Sequence, residues 1–350
     1  MATPVQPHLL SSVIGQERAK TVLRRAVAGQ RLGHAFLFRG PAGVGKRRTA
    51  MAFAALVNCR QRRAGDACGV CPSCRKLAAG SHPDVTRIDP DGAFIKIDQI
   101  RRLATILGFP PLEGLFRVII LAGVENMRVE GANALLKTLE EPPPATILVL
   151  TADEAGPLLP TVVSRCQVVP FLPLAPEEVA QGVLLQVDCD PHTARGMAAV
   201  AGGSIGRALT LAASGLHPTS ERLQSVLAAG WADDPETVEA LLALAREAAA
   251  LKEDLDPFLD LVAIWARDLL VTATGLPASL LANPDAAARL SSVQGRWTRE
   301  EIQAMFRDLD RVRDQLRRNC NRELACEVLF LGLAPRRPPA TGAGGARPSL

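Results

Sequence analysis

Tyrosine is absent from this 350-residue chain, and aromatic residues make up only 4% of it. A recognition surface of stacked aromatic rings, such as an RNA-recognition sheet or a single-strand-binding barrel, is therefore not expected. The excess of positive charge is also small, because 40 basic residues face 36 acidic ones, for a formal net charge of +4. This balance permits contact with nucleic acid but does not require it.

No apolar run approaches the roughly 18 residues of a membrane-spanning helix. Residues 1–8 also lack the basic start and apolar core of a signal peptide. These two absences predict a cytoplasmic protein without membrane contact, in which the eight cysteines stay reduced and form no disulfides. Hydrophobic residues make up 48% of the chain, which is enough for sizeable cores, and the length suits two or three domains.

Up to about residue 170, short apolar runs alternate with helical patterns. Runs such as 34–38, 117–121 and 146–151 predict buried strands, and the helices between them predict a parallel sheet covered on both faces, an α/β fold. After Pro173 the strand signal disappears and only helical patterns follow. We predict an α/β domain over 1–173, a small helical domain over 174–215, a helical C-terminal domain over 216–334, and a disordered Pro/Gly/Ala/Arg-rich tail over 335–350.

A glycine-rich segment follows the first predicted strand and opens a helix. Its glycines and lysine have the G-x-x-x-x-G-K spacing of a phosphate-binding loop. In such a loop, backbone N–H groups and the dipole of the next helix hold phosphate oxygens, while the lysine reaches the terminal phosphates. The sequence therefore predicts a nucleotide-binding fold whose binding residues are Gly40, Gly43, Gly45 and Lys46.

The metal ligands that ATP hydrolysis requires are missing from this segment. The position after the loop lysine should supply a Ser or Thr hydroxyl to Mg²⁺, but it holds Arg47, which cannot coordinate a cation. An acidic residue should follow the strand 117–121. The chain instead continues with Ala122 and Gly123, and Glu125 comes several residues late. We predict no Mg²⁺-dependent hydrolysis, and whether ATP or ADP occupies the loop stays open.

Four cysteines, Cys59, Cys68, Cys71 and Cys74, have the spacing C-x8-C-x2-C-x2-C. Four thiolates can hold Zn²⁺ tetrahedrally, and the two-residue gaps suit a tight turn. A redox dithiol is the alternative for a C-x-x-C pair, but overlapping pairs with a fourth cysteine upstream favour zinc. Because protein would fill all four positions, the predicted zinc is structural, in a module over 57–76.

Two further segments carry a resemblance to a known family. Residues 133–143 (NALLKTLEEPP) and 158–167, which include a Ser-Arg-Cys element, resemble the signatures of bacterial clamp-loader subunits of DNA polymerase III. The start at Ile14-Gly15-Gln16 and the four-cysteine insertion after the phosphate-loop helix are similar too. The resemblance covers about residues 11–210, and it implies an AAA+ module with a helical lid and a helical collar.

That family contains two kinds of subunit with these features. The gamma/tau kind hydrolyses ATP and has a Thr after the loop lysine and an Asp-Glu pair where this chain has Ala122 and Gly123. The delta-prime kind lacks these residues, as this chain does. The resemblance therefore implies a non-hydrolysing subunit of a hetero-oligomeric clamp loader. Its partners would be the gamma/tau and delta subunits, and through the complex it would act on the sliding clamp and primed DNA, as a component of the DNA-directed DNA polymerase (nucleotidyltransferase) III holoenzyme.

Arg165 of the Ser-Arg-Cys element is the predicted catalytic residue. A charge between Val163 and Cys166, at the edge of a predicted buried strand, is costly unless it has a partner. In oligomeric ATPases an arginine offered across an interface stabilises charge on the γ-phosphate, and the resemblance implies this role in trans. An intramolecular salt bridge is the alternative. Glu140-Glu141 ends a predicted helix, where acids oppose the helix dipole, so we expect these acids to interact with neighbouring elements of the loader.

Two other functions stay open from the sequence. An active AAA+ ATPase of the gamma/tau kind is opposed by Arg47 and Ala122, and ATP turnover by the isolated chain would decide between them. A zinc-containing DNA-binding protein would use the basic residues around the cysteines, although a solvated charged face also explains them. A steep salt dependence of DNA binding would favour that function. The basic residues are Arg60, Arg62, Arg63, Arg75 and Lys76.

Overall fold

The computed structural model describes residues 8–29, 32–92, 94–153, 158–213, 216–282, 286–318 and 320–336. They form two units, the first up to residue 185 together with 201–207, and the second comprising 186–200 and the chain from 208 onward. Residues 174–215 are thus divided between the two units, and the three-domain boundaries stay a prediction. Most of the predicted disordered tail, residues 337–350, lies outside the described residues.

The first unit is built on a five-stranded sheet in which all neighbouring strands are parallel, in the order β2-β3-β4-β1-β5. The predicted parallel α/β fold is therefore confirmed. The order places the carboxyl ends of the three central strands side by side, with Arg39 of β1 opposite Ala152 of β4 and Ala122 of β3 opposite Thr151. The strands are β1 (Ala35–Arg39), β2 (Val85–Ile88), β3 (Arg117–Ala122), β4 (Thr146–Ala152) and β5 (Gln167–Pro170).

Successive side chains of a strand point to opposite faces of the sheet, and in this unit each face packs in a different core. Phe36 and Phe38 of β1 belong to the core beneath α1 and α2, whereas Leu37 belongs to the core that includes α4, α5 and α6. The sheet is therefore the middle of three layers. The helices of this unit are α1 (Glu17–Ala28), α2 (Lys46–Asn58), α3 (Pro72–Ala78), α4 (Ile97–Leu107), α5 (Val129–Glu140), α6 (Pro160–Val163) and α7 (Pro176–Leu184). Short 3-10 helices cover Leu10–Ser12 and Val124–Asn126.

The second unit is helical, as predicted, and has its own core. Phe258 and Phe330 are fully buried there, and Trp265 meets Trp297 edge to face. Its helices are α8 (Pro191–Val200), α9 (Ile205–Ala213, whose first turn lies in the first unit), α10 (Leu216–Ala229), α11 (Pro235–Ala249), α12 (Leu255–Ala273), α13 (Ala287–Ser292), α14 (Arg299–Arg317) and α15 (Arg322–Leu333). Within the described ranges, no helix combines the length and apolarity needed to cross a bilayer.

Candidate functional site

The glycine-rich segment forms the turn between β1 and α2. Gly43 and Gly45 have φ values of +72° and +103°, a backbone region that only glycine adopts readily. Lys46 is the first residue of α2. A side chain at Gly40 would come within 2.2 Å of the Phe171 carbonyl oxygen. The structure thus places the four predicted residues in one strand–loop–helix turn, and their binding of nucleotide stays a prediction.

The Lys46 amine is bonded to its own chain. It donates to the carbonyl oxygens of Gly40 and Pro41 at 2.5 and 2.6 Å and to Asp153 Oδ1 at 2.7 Å. The Lys46 side chain is only 8% exposed. Because a lysine ammonium has three N–H donors, these acceptors satisfy all of them. A phosphate group at this loop would have to replace at least one of the three.

The segment 201–207 covers one side of the loop. Gly206 donates its N–H to the Gly43 carbonyl oxygen at 3.0 Å. A side chain at Gly43 would come within 2.3 Å of the Ser204 hydroxyl, and one at Gly206 within 2.8 Å of the Gly43 Cα. The close approach of the two backbones therefore requires glycine on both sides.

Neither position expected to ligate Mg²⁺ presents an oxygen. The Arg47 side chain is 61% exposed and pairs with Asp89 at 3.4 Å. β3 ends at the fully buried Ala122, and the next N–H, that of Gly123, donates to the Thr151 hydroxyl. Glu125 lies beyond, in the 3-10 helix that follows β3. The lack of metal-dependent hydrolysis stays a prediction.

The four clustered cysteines come together in space. Their sulfur atoms all lie within 4.8 Å of one another, and this group could hold a metal ion. Cys59 follows the end of α2, Cys71 caps the N-terminus of α3, and Cys74 lies inside α3. Backbone N–H groups of Cys68 and Cys71 donate to the sulfurs of Cys59 and Cys68 at 3.2 and 3.3 Å. Four converging sulfurs fit Zn²⁺ and leave no position for a catalytic water.

The thiols of this cluster differ in acidity. Backbone hydrogen bonds, above all that of Val70, lower the pKa of Cys68 to about 6. Burial raises the pKa of Cys59 and of Cys74 above the ordinary value. Cys68 is therefore the thiol of this cluster that loses its proton most readily, and binding of a cation would displace protons from Cys59 and Cys74.

A buried carboxylate connects the segment that contains the four cysteines, residues 59–74 (the cysteine segment), to residues 10 and 11. Asp66 accepts hydrogen bonds from the backbone N–H groups of Leu10, Ser11 and Ala67 at 2.8–3.0 Å. A few residues later, the Gln16 amide donates to the carbonyl oxygens of Val44 and Leu172. The stretch 10–16 thus joins the cysteine segment to the phosphate loop. The sequence alone does not reveal this, because nothing in the pattern pairs residue 66 with residue 10.

Several basic residues around the cysteines are engaged within the chain. Arg60 donates to the Glu113 carbonyl oxygen at 3.0 Å, and Lys76 pairs with the Glu113 carboxylate at 2.5 Å. Arg62 donates to the Leu56 and Val57 carbonyl oxygens at the end of α2. These contacts give the basic residues a structural use and weaken the argument for a nucleic-acid interface here.

Arg165 lies on the surface and has a partner within the chain. The residue lies between the short helix α6 and β5. One guanidinium nitrogen donates to the Thr161 carbonyl oxygen at 3.0 Å, and the other pairs with Glu140 at 2.6 Å. The intramolecular salt bridge considered from the sequence is therefore present, and the side chain is still 36% exposed.

Sequence reasoning missed Asp153, and it expected Glu140 to contact neighbouring elements of the loader and not Arg165 of the same chain. Asp153 directly follows β4, the strand beside β1, and the carboxyl ends of neighbouring parallel strands meet at one edge of a sheet. An acidic residue after a buried strand was thus a usable signal, but only with the strand order known. Glu140 carried a clearer signal, since it ends α5, where the helix dipole disfavours an acid.

Two family models match this chain. The model described as "DNA polymerase III, delta subunit" matches residues 15–175, and "DNA polymerase III, delta subunit, C terminal" matches residues 236–334. The two matches fall in different units of the structure. Together they span the sheet with its phosphate loop and most of the helical second unit.

Three curated relatives illustrate the similarity. DNA polymerase III subunit delta' of Bacillus subtilis is 37% identical over 180 residues, which are 51% of this chain and 54% of that protein. Subunit delta' of Pseudomonas aeruginosa is 44% identical over 135 residues, 38% of this chain and 41% of that protein. Subunit tau of B. subtilis is 36% identical over 162 residues, 46% of this chain and 29% of that protein. The chain thus spans about half the length of the first relative and less of the other two. On the two model matches and these relatives, the chain belongs to the clamp-loader family of DNA polymerase III and resembles its delta-prime subunits.

Proposed function

We propose that this chain is a non-hydrolysing, delta-prime-like subunit of the DNA polymerase III clamp loader. In this role it helps to load the sliding clamp onto primed DNA during replication in the cytoplasm. The observation that carries the proposal is that the phosphate loop, in a chain of this family, lacks the side chains that ligate Mg²⁺. Arg47 and Ala122 occupy the two positions of the metal ligands, and the Lys46 amine is bonded to carbonyl oxygens and Asp153.

The partners follow from the same proposal. A subunit without its own hydrolysis contributes through contacts, so we infer a hetero-oligomer with gamma/tau ATPase subunits and a delta subunit. The similarity to a tau subunit supports a shared module in the subunits that assemble. The four cysteines hold a structural Zn²⁺, a role supported by the convergence of their sulfurs, since four thiolates suffice for a tetrahedral site.

Arg165 acts on the ATP of a neighbouring subunit. An arginine finger is useful only beside a γ-phosphate, and this chain lacks the metal ligands to use one at its own loop. The exposed guanidinium at the end of α6 is available to a site on another chain. The nucleotide it serves therefore belongs to an adjacent gamma/tau subunit.

Reconstitution of the loader with variant chains tests this role. Arg165→Ala is expected to leave assembly intact and to lower ATP turnover sharply at the adjacent site, since fingers contribute about 10³–10⁵ in rate. Arg165→Lys should rescue little, because an ammonium lacks the planar fork of a guanidinium. Arg18→Ala, an exposed arginine on α1, is the matched control. Wild-type clamp loading and ATP turnover with Arg165→Ala would refute the role in trans, and failure to co-purify with the other subunits would refute the assignment to the loader.

A further inference from the structure

We propose that Glu140 is a positioning residue for Arg165, holding its guanidinium in the orientation in which it meets the neighbouring nucleotide. This inference rests on the proposed function, because it assigns a second residue to the site that Arg165 serves. It begins from a contact between two exposed side chains that are 25 positions apart in the sequence. Glu140 Oε1 lies 2.6 Å from a guanidinium nitrogen of Arg165.

The guanidinium is held at two of its nitrogens. One terminal nitrogen, Nη1, donates to the Thr161 carbonyl oxygen at 3.0 Å, and the other, Nη2, pairs with Glu140. Nη1 also lies 3.4 Å from the Ser164 hydroxyl, and the side chain keeps 36% of its surface exposed. Because arginine carries five N–H donors, this arrangement fixes the plane of the group and leaves N–H bonds for a phosphate oxygen.

Helix α5, which ends at Glu140, and helix α6, which precedes Arg165, pack in a shared core. Leu135 and Leu139 of α5 and Val162 of α6 are buried together in the core on that face of the sheet. The backbone on both sides of the ion pair is therefore held by apolar packing that does not depend on the pair itself. A carboxylate on this fixed backbone can restrict the rotation of the long Arg165 side chain. A side chain that is already restricted loses less conformational entropy when it binds the nucleotide.

The position of Glu140 has no explanation in local helix stability. It is the last residue of α5, where the partial negative charge of the helix end repels a carboxylate. Arg165 offsets that repulsion. Glu141, the next residue, is also exposed and forms no ion pair within the described ranges. Glu140 contacts the arginine and the adjacent Glu141 does not, so Glu141 is the control for Glu140.

Positioning acts on the chemical step more than on nucleotide binding. A finger stabilises charge that develops in the transition state, and groups oriented in advance need no reorganisation at that moment. Loss of the Glu140 contact lets the guanidinium sample other rotamers, so a smaller fraction of complexes is productive. The expected consequence is a lower kcat with an unchanged KM for ATP.

The test compares loaders reconstituted with the full wild-type chain, Glu140→Gln, Glu141→Gln, Arg165→Ala, and the double variant of Glu140→Gln with Arg165→Ala. DNA- and clamp-stimulated ATP turnover is measured over a range of ATP concentrations. Glu140→Gln should lower the Arg165-dependent part of kcat about two- to fivefold, as one exposed ion pair would. Glu141→Gln should match wild type. In the Arg165→Ala background, Glu140→Gln should have no further effect.

Each other outcome overturns the inference in a distinguishable way. If Arg165→Ala lowers turnover and Glu140→Gln does not, the finger stands and Glu140 does not position it. If Glu140→Gln lowers turnover equally with and without Arg165, its role is structural, and thermal unfolding of the isolated variants would show the loss of stability. If Glu140→Gln raises turnover, the ion pair with Glu140 holds Arg165 away from the productive orientation, which is the opposite of the proposed role. If Arg165→Ala has wild-type turnover, the proposed role of Arg165 fails, and the inference fails with it.

Discussion

At the scale of single residues, the Lys46 amine shows how neighbours decide what a side chain can do. The same lysine that would bind a phosphate donates here to two carbonyl oxygens and one carboxylate of its own chain. The carbonyls belong to the loop and cannot be removed by substitution, whereas the carboxylate of Asp153 can. The strength of the Lys46–Asp153 pair is therefore open to measurement.

Asp153→Asn should increase the affinity of the loop for nucleotide. The substitution removes the charge that holds the Lys46 amine, and an ion pair with one partly exposed member corresponds to about a two- to fivefold change. Titration with fluorescent ADP in the absence of Mg²⁺ measures the effect, with Asp91→Asn, a more exposed carboxylate, as control. Adding Lys46→Ala should abolish the gain. Equal affinities for the wild type and Asp153→Asn would show that the ion pair does not restrain the lysine.

Arg47→Thr alone should not restore ATP hydrolysis. The substitution supplies one hydroxyl for Mg²⁺, but the position at the end of β3 is still Ala122, so the second ligand remains absent. Turnover of the isolated variant should stay at the wild-type background, as measured by phosphate release with Lys46→Ala as the reference. A wild-type rate near ~1 s⁻¹, within the range of ordinary enzymes, and lost in Lys46→Ala would contradict our description of the site.

At the scale of secondary-structure elements, one buried carboxylate fixes the connection between α4 and β3. Asp84 is fully buried, accepts the backbone N–H groups of Leu112, Glu113 and Gly114 at 2.7–2.9 Å, and pairs with Arg117 at 3.3 Å. Burial by itself raises the pKa of Asp84, but these hydrogen bonds and the guanidinium outweigh it, so the pKa lies below its ordinary value. The ionised carboxylate is therefore part of the fold.

Asp84→Asn should destabilise the first unit by about 3–5 kcal/mol at pH 7, because it leaves the buried Arg117 charge with carbonyl acceptors but no carboxylate. Because folding lowers the pKa, this stabilisation is present above the ordinary pKa and is lost as the pH falls through the folded value. The difference between wild type and variant should narrow below about pH 4. Urea unfolding at a series of pH values measures it, and the exposed Asp98→Asn is the control. A difference that stays constant with pH would rule out the ionised carboxylate as its cause.

At the scale of the whole molecule, each of the two units has its own core. We therefore expect a loss of structure in one unit to leave the other folded. The first unit holds the sheet and the four cysteines, and the second has a helical core of its own. Within the first unit, Asp66 connects the cysteine segment to Leu10 and Ser11. Loss of a metal ion from the four cysteines should therefore loosen the backbone at Leu10 and Ser11 and leave the structure of the second unit unchanged.

The purified chain should contain one zinc ion, and chelation should loosen the cysteine segment together with residues 10–13. Hydrogen exchange measured by mass spectrometry should show faster exchange in both places and unchanged protection in α11 and α15. Because the pKa values of Cys59 and Cys74 are raised, zinc binding should release protons and strengthen as the pH rises. Asp66→Asn should loosen residues 10–13 while zinc is retained. Protein purified without chelators that contains no zinc would end this prediction.

Local patterns by themselves determined the elements of this protein. The strands predicted over 117–121 and 146–151 are present as β3 and β4, each one residue longer, because the preference of a short apolar run for a buried strand acts within a few residues. The cysteine spacing likewise predicted a cluster that the structure brings together. Only the tertiary structure decided that Asp153 reaches Lys46, that Asp66 holds Leu10, and that Glu140 meets Arg165. Each of these contacts depends on strand order or helix packing, which arises from apolar surfaces far apart in the chain. A local signal, such as the acid at the end of α5, can show that a partner is needed but cannot say which residue it is.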